Sequence, residues 1–197
     1  WRVRVIEGGW KAYRAHVRAA LYDRPLAHRF ILLDGDTGSA KTAILHEARA
    51  QGAQTLDLEG LANHRGSALG HFEADPQPGQ KRFESALFDE LRRFDPSVPV
   101  LVEAESNKLG RRVIPASVWA AMPAAPRLAI EAPVAERARH AVASYRDIAG
   151  DPEMLAARLE PLIPLHGRQC VERWAALAAA GELEAFARAL IEEHYDP

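Results

Sequence analysis

The chain has 197 residues, 48% of them hydrophobic, and a formal net charge of -2. That is enough apolar material to bury a real core, and the near-neutral balance excludes a chain-wide nucleic-acid signature, so any RNA contact must come from a local patch. The single cysteine, Cys170, excludes an internal disulfide framework and fits a reducing, cytoplasmic setting, while no apolar run approaches the roughly 20 residues of a membrane span and no signal peptide is visible.

The chain opens on Trp1 rather than Met, so further sequence upstream is expected. Residues 1 to 9 alternate and end on Gly8-Gly9, which predicts a short strand and turn. Residues 10 to 22 predict a helix with Trp10, Tyr13, Val17 and Leu21 on one face, stopped by Pro25. Residues 1 to 25 therefore read as the tail of a preceding unit and a connector. Phe30–Leu33 is an apolar strand. It runs into Gly35-Asp-Thr-Gly-Ser-Ala-Lys-Thr42, and a helical pattern follows to about Ala50.

Strand, glycine loop and Lys-Thr at a helix start make a phosphate-binding P-loop. Several donors must converge on a phosphate. The backbone N–H groups of Gly35, Asp36, Thr37, Gly38, Ser39 and Ala40, with the helix N-terminus, supply them. Lys41 adds a mobile charge for the terminal phosphates, and Thr42 offers a hydroxyl to Mg²⁺ if a metal is used. Ala40 stands where the motif has its second glycine; an alanine fits there in a right-handed conformation.

Gln54–Leu58 predicts a second strand, and strand, helix, strand at this length is a βαβ unit of a parallel sheet. It leads into Asp57-Leu-Glu-Gly-Leu-Ala-Asn-His-Arg-Gly-Ser67. Ligands of such sheets bind at the carboxyl ends of strands. This loop is accordingly a candidate second wall built from Glu59, Asn63, His64, Arg65, Gly66 and Ser67. Asp57 or Glu59 would hold a metal or a proton, Arg65 would pair with phosphate and His64 would donate to it. The alternative is a surface loop with a capping Asp and turn glycines.

A helix over about Gln80–Phe94 carries Phe83, Leu87, Leu91 and Phe94 on its core face. Val98–Glu105 is a third strand ending in Glu103 and Glu105, which with Ser106 are candidates for organising Mg²⁺ or water, or simply strand-end carboxylates in water. Lys108, Arg111 and Arg112 form a basic cluster for a phosphate, an RNA backbone or solvent. A short helix from Pro115 to Met122, a fourth strand over 126–132 and a helix over about Val134–Ile148 follow, with Arg137 and Arg139 near its start. From Gly150 on the pattern is helical: about 152–159, 167–179 and 182–194. The fold class expected is α/β, a P-loop NTPase-like parallel sheet with flanking helices over 26–149, and a C-terminal helical part over 150–197.

The loop at 35–42, the stretch at 57–67 and Glu103-Ala-Glu-Ser-Asn-Lys-Leu-Gly110, with Gln77-Pro and Gln80–Ser85 between, together resemble the P-loop domain of bacterial tRNA 2-selenouridine synthases. The stretch at 57–67 is the most specific part. Glu7–Arg14 resembles the exit from that family's rhodanese domain and His194–Pro197 its C-terminal region, so the resemblance covers nearly the whole chain. It implies a transferase that modifies the wobble uridine of tRNA. In that family 2-thiouridine becomes 2-selenouridine with selenophosphate as donor, through an S-geranylated intermediate made from geranyl diphosphate. The selenation cysteine would lie in the rhodanese domain upstream of Trp1; Cys170 does not match its motif, and Ala40 departs from the family's usual glycine. On this reading Lys41, Asp57, Arg65, Glu103 and Glu105 are the catalytic candidates, residues 35–42 hold a diphosphate and Mg²⁺ is a possible cofactor. The competing readings are an ordinary nucleotide kinase or NTPase, and a non-catalytic tRNA-binding module.

Overall fold

The computed structural model describes residues 3, 5–67, 69–72 and 75–196. In chain order its elements are α1 (Gly9–Tyr22), β1 (Phe30–Asp34), α2 (Lys41–Ala50), β2 (Thr55–Leu56), α3 (Leu58–Ala62), α4 (Gln80–Leu91) and β3 (Val100–Glu103). Then come β4 (Lys108–Leu109), β5 (Arg112–Val113), α5 (Ala116–Ala121), β6 (Arg127–Ala129), α6 (Val134–Ser144), α7 (Arg146–Ala149) and α8 (Pro152–Leu159). A 3₁₀ turn leads to α9 (Ile163–His166), α10 (Arg168–Ala179) and α11 (Leu183–Leu190), and a π turn closes the series at Ile191–Tyr195.

The α/β class is as expected. The sheet runs β2-β3-β1-β6, with β1 and β2 each parallel to β3. The register pairs Phe30 with Val100 and Leu33 with Glu103. β1 and β2 are thus not neighbours: β3 lies between them, so the βαβ crossover skips one strand. Several elements are shorter than their patterns. Leu58 begins α3 rather than ending β2, because Asp57 caps that helix by accepting from the Gly60 N–H at 2.6 Å. The helix predicted over 134–148 breaks at Tyr145 into α6 and α7. The strand expected over 1–9 falls partly on residues outside those described, and Val3, Val5 and Ile6 are exposed and not in a strand. Trp10, expected on a core face, is also exposed.

The chain forms two compact units, residues 1–34 with 42–128, and residues 35–41 with 129–197. The boundaries differ from those expected at 25 and 149. The reason is apolar packing: Ala138 of α6 is buried with Ala187 and Ile191, so α6 joins the helices that follow it. In the first unit one core holds Phe30, Leu32, Leu56, Val100 and Val102 from the sheet, Phe83, Leu87 and Leu91 from α4, and Val17 and Leu21 from α1. Burial of this apolar surface is the main force holding the sheet and its helices together.

Helix α1 is fastened to α4 by a polar lock as well. Arg14 pairs with Glu84, the Tyr22 hydroxyl donates to the same carboxylate at 2.8 Å, and Arg14 also donates to the Lys81 carbonyl and to Ser85. Glu84 is buried, so removing it takes the countercharge from Arg14. Glu84→Ala should cost about 3–5 kcal/mol, read by urea denaturation. Burial, and then the hydrogen bond and charge of Glu84, push the Tyr22 phenol up to about 12. Stability from this contact is therefore complete below pH 10 and lost as pH rises towards 12, where the unfolded chain gives up the proton first. Tyr22→Phe should flatten the alkaline fall in stability over that interval.

Candidate functional site: a phosphate loop and a carboxylate wall

The loop after β1 belongs to the second unit, residues 35–41. Its turn is closed by the Ser39 N–H donating to the Asp36 carbonyl at 3.1 Å. Lys41, at the first position of α2, folds back on the loop and donates from Nζ to the Gly35 carbonyl at 2.5 Å and the Asp36 carbonyl at 3.4 Å. Ser39 is buried, and among the described residues its Oγ has no hydrogen-bond partner. A buried hydroxyl in that state is costly. Gly38 has φ 85°, and a Cβ there would lie 2.7 Å from the Arg137 carbonyl oxygen, so the loop passes too close to α6 for a side chain.

Ala40 corrects an expectation. It does not adopt a right-handed conformation; its φ is 65°. The loop demands the left-handed geometry that glycine takes freely and alanine does not.

The carboxylate wall belongs to the first unit. Glu103, at the end of β3, is fully buried. One oxygen accepts from the Leu58 N–H at 3.1 Å, and among the described residues Oε1 has no hydrogen-bond partner. Burial first, and then the negative charges of Asp57 and Glu59, push its carboxyl well above the usual carboxylate range. Glu59 accepts from the Thr42 hydroxyl at 3.2 Å. A Cβ on Gly66 (φ 68°) would lie 2.3 Å from Glu59 Oε1 and 3.1 Å from Glu105 Oε1, so this glycine is where the loop closes over both acids. Asp57 has its own duties. Besides capping α3, it meets His46 Nε2 at 2.6 Å. Sequence reasoning missed His46; its position four residues after Thr42, on the same face of α2, was the available signal.

The other residues of the second wall divide sharply. His64 is buried, and its Nδ1 accepts from the Gly66 N–H at 3.1 Å. Burial, then the nearby His71 and Arg65, lower its affinity for a proton. Asn63 ends α3 in the left-handed conformation and donates to the Asp75 carbonyl at 2.7 Å. The Ser67 N–H donates to the Arg65 carbonyl at 2.8 Å. Arg65 stacks its guanidinium 4.0 Å from the centre of the Phe72 ring. Asn63 and His64 thus build the loop, and Arg65 remains half-buried at its surface.

The basic cluster proves to be a hairpin, β4 with β5, turning at Gly110-Arg111. Ser106 donates to the Lys108 carbonyl at 2.7 Å. Gln77 fixes the turn by donating to the carbonyls of Ala62 and Leu109 and accepting from the Arg111 N–H at 2.8 Å. Lys108 and Arg111 are exposed and Arg112 is partly buried. The unit that carries the hairpin has 17 Lys and Arg against 14 Asp and Glu, whereas the other has 8 against 13.

Mg²⁺ is the metal that a P-loop implies, and the oxygen donors suit it. Among the described residues no three His, Cys, Asp or Glu are grouped as a ready cage. Mg²⁺ is held by one or two protein oxygens with substrate phosphates completing the shell, and the Thr42 hydroxyl beside Glu59 is such a pair.

The sequence model of the tRNA 2-selenouridine synthase AAA domain matches residues 28–157. The chain belongs to that family. A tRNA 2-selenouridine synthase of Hahella chejuensis is 41% identical over 141 residues, 70% of this chain and 36% of the relative. One from Shewanella sediminis is 37% identical over 142 residues, 71% of this chain and 37% of the relative. One from Cupriavidus pinatubonensis is 36% identical over 164 residues, 82% and 42%. The chain therefore spans about two fifths of the length of these family members. No solved structure matches it. No helix among the described residues is long and apolar enough to cross a membrane.

Ala40→Gly should relieve the left-handed alanine at the expense of a looser unfolded chain, a net gain of roughly 0.5–1 kcal/mol. Thermal denaturation of the two proteins checks this, and equal or lower stability would contradict it.

Proposed function

We propose that this chain is the diphosphate-binding part of a tRNA-modifying transferase, acting in the cytoplasm, that converts wobble 2-thiouridine to 2-selenouridine. The substrates are geranyl diphosphate, selenophosphate and the anticodon of tRNA, and a rhodanese domain elsewhere in the protein supplies the selenation cysteine. The observation that carries the reading is the loop at 35–41: a turn built of backbone, with a buried, unpartnered Ser39 hydroxyl and Lys41 resting on its carbonyls. Such a cradle recognises a diphosphate whether or not a base is attached.

In the geranylation step, the sulfur of 2-thiouridine attacks C1 of the geranyl group. An S–C bond forms, the C–O bond to diphosphate breaks, and the N3 proton of the base passes to solvent water. The departing group carries the new negative charge. Lys41 shifts from the carbonyls of Gly35 and Asp36 to the diphosphate, and the loop N–H groups fix its orientation. Thr42, next in the chain, and Glu59 would hold Mg²⁺, which supplies further neutralisation of the leaving group. Glu103 and Glu105 stand behind Glu59 as the acidic surround. Arg65, in the same loop, would pair with a substrate phosphate. Lys108, Arg111 and Arg112 take the RNA backbone, a role favoured by the positive balance of the unit that carries them.

Lys41→Ala should reduce geranylation of 2-thiouridine tRNA by at least about a hundredfold, followed by chromatography of the digested tRNA. Undiminished activity in the variant would refute the assignment. Replacing Lys108, Arg111 and Arg112 by Gln should weaken tRNA binding and flatten its dependence on salt by about one unit of slope per lost phosphate contact. An unchanged slope would remove the hairpin from the RNA face.

A further inference from the structure

The second unit contains an ion pair that the phosphate loop alone does not explain. Arg137, on the first turns of α6, is almost wholly buried, its side chain only 3% exposed. Its Nε–H donates to the Thr37 carbonyl at 2.8 Å. Its Nη1 lies 3.4 Å from the Asp36 carboxylate. Both Nη groups reach Asp196, with Nη2 to Oδ1 at 3.0 Å and Nη1 to Oδ2 at 2.5 Å. Its own carbonyl is the oxygen that leaves no room for a Cβ on Gly38. One residue therefore touches the loop at Asp36, Thr37 and Gly38.

Asp196 is placed by packing rather than by chance. It follows the π turn Ile191–Tyr195, and its N–H donates to the Ile191 carbonyl at 2.9 Å. Ile191 is buried with Ala138 and Ala187, the contact that joins α11 to α6. A π turn is rare and is found most often where function needs a residue re-aimed; here it turns the chain so that Asp196 meets Arg137. The bidentate fork fixes the guanidinium plane as a lysine could not, and the hydrogen bond to Asp196 raises its pKa against the opposing effect of burial.

We infer that Arg137 is a positioning residue for the phosphate loop, and that Asp196 governs it. The pair couples the loop backbone to the packing of the last helix. Whatever moves the segment after α11 changes how the loop presents its N–H groups, and so changes affinity for a diphosphate. The Asp36 carboxylate, the third charge on this guanidinium, takes part in the same network. Arg137 does not itself touch the phosphate, and its effect passes through the Thr37 carbonyl. The affinity consequence rests on the phosphate reading of the loop, while the coupling does not.

The test is hydrogen exchange on the ligand-free chain, joined to a titration with inorganic pyrophosphate. Arg137→Lys and Asp196→Asn should each speed exchange of the Ser39 amide about tenfold, the worth of a charged hydrogen bond. The double variant should be no worse than either single one, because the two act as a unit. Amides within α11 should be unaffected, which a merely structural role would not allow. Asp196→Glu should restore part of the protection. Pyrophosphate affinity should fall in parallel with Ser39 protection. The inference is overturned if Ser39 exchange is unchanged, if the two effects add, or if α11 loosens to the same degree. Coupled exchange in a chain that binds no pyrophosphate would uphold the inference and remove the phosphate reading instead.

Discussion

A tight turn at the end of a strand leaves backbone carbonyls that need donors of their own. That constraint organises the second unit. The carbonyls of Gly35 and Asp36 are met by Lys41, and the carbonyl of Thr37 by Arg137. Both donors are cations, so they stabilise the loop without an anion and raise the local potential for one. Lys41 is the mobile member: it is half-buried and on a flexible stem, so it can leave a carbonyl for a phosphate. Arg137 is the fixed member, held by Asp196 and by the wall of α6.

The carboxylate wall follows the opposite logic. Three acids that act on one another, Asp57, Glu59 and Glu103, would repel if all were charged. The structure eases this by giving each a different environment. Asp57 has a helix N-terminus and His46. Glu59 has the Thr42 hydroxyl. Glu103 accepts from the Leu58 N–H and is deeply buried, which favours its neutral form. Burial therefore sets Glu103 apart from the other two acids. A hard cation would find its oxygens at the Thr42 and Glu59 end.

The strand, turn and helix start at 30–42 were legible in the sequence because their signals are local: the glycines, Lys41 and Thr42 lie within eight residues. So was the order of strands along the chain, from apolar runs such as Phe30–Leu33. The parts that escaped depend on distant partners. Arg137 finds Asp196 59 residues away, and no spacing rule reveals that. The hairpin at 108–113 has strands of two residues and is held by Gln77, 34 residues before Arg111. His64 looks like a ligand in a polar stretch, yet it is buried and bonded to Gly66. Ala40 was misjudged for another reason: the residue type argues for a right-handed turn, and the loop overrides it. The grouping of α6 with the later helices likewise follows from its small apolar face meeting Ala187 and Ile191, a match visible only in three dimensions.

The central claim is that the loop at 35–41 holds the diphosphate of a prenyl donor. A calorimetric titration of the chain with geranyl diphosphate and with ATP, each in the presence of Mg²⁺, tests it most directly. The account predicts tighter binding of geranyl diphosphate, lost in Lys41→Ala. Preference for ATP, or geranyl diphosphate binding that Lys41→Ala leaves intact, would contradict it.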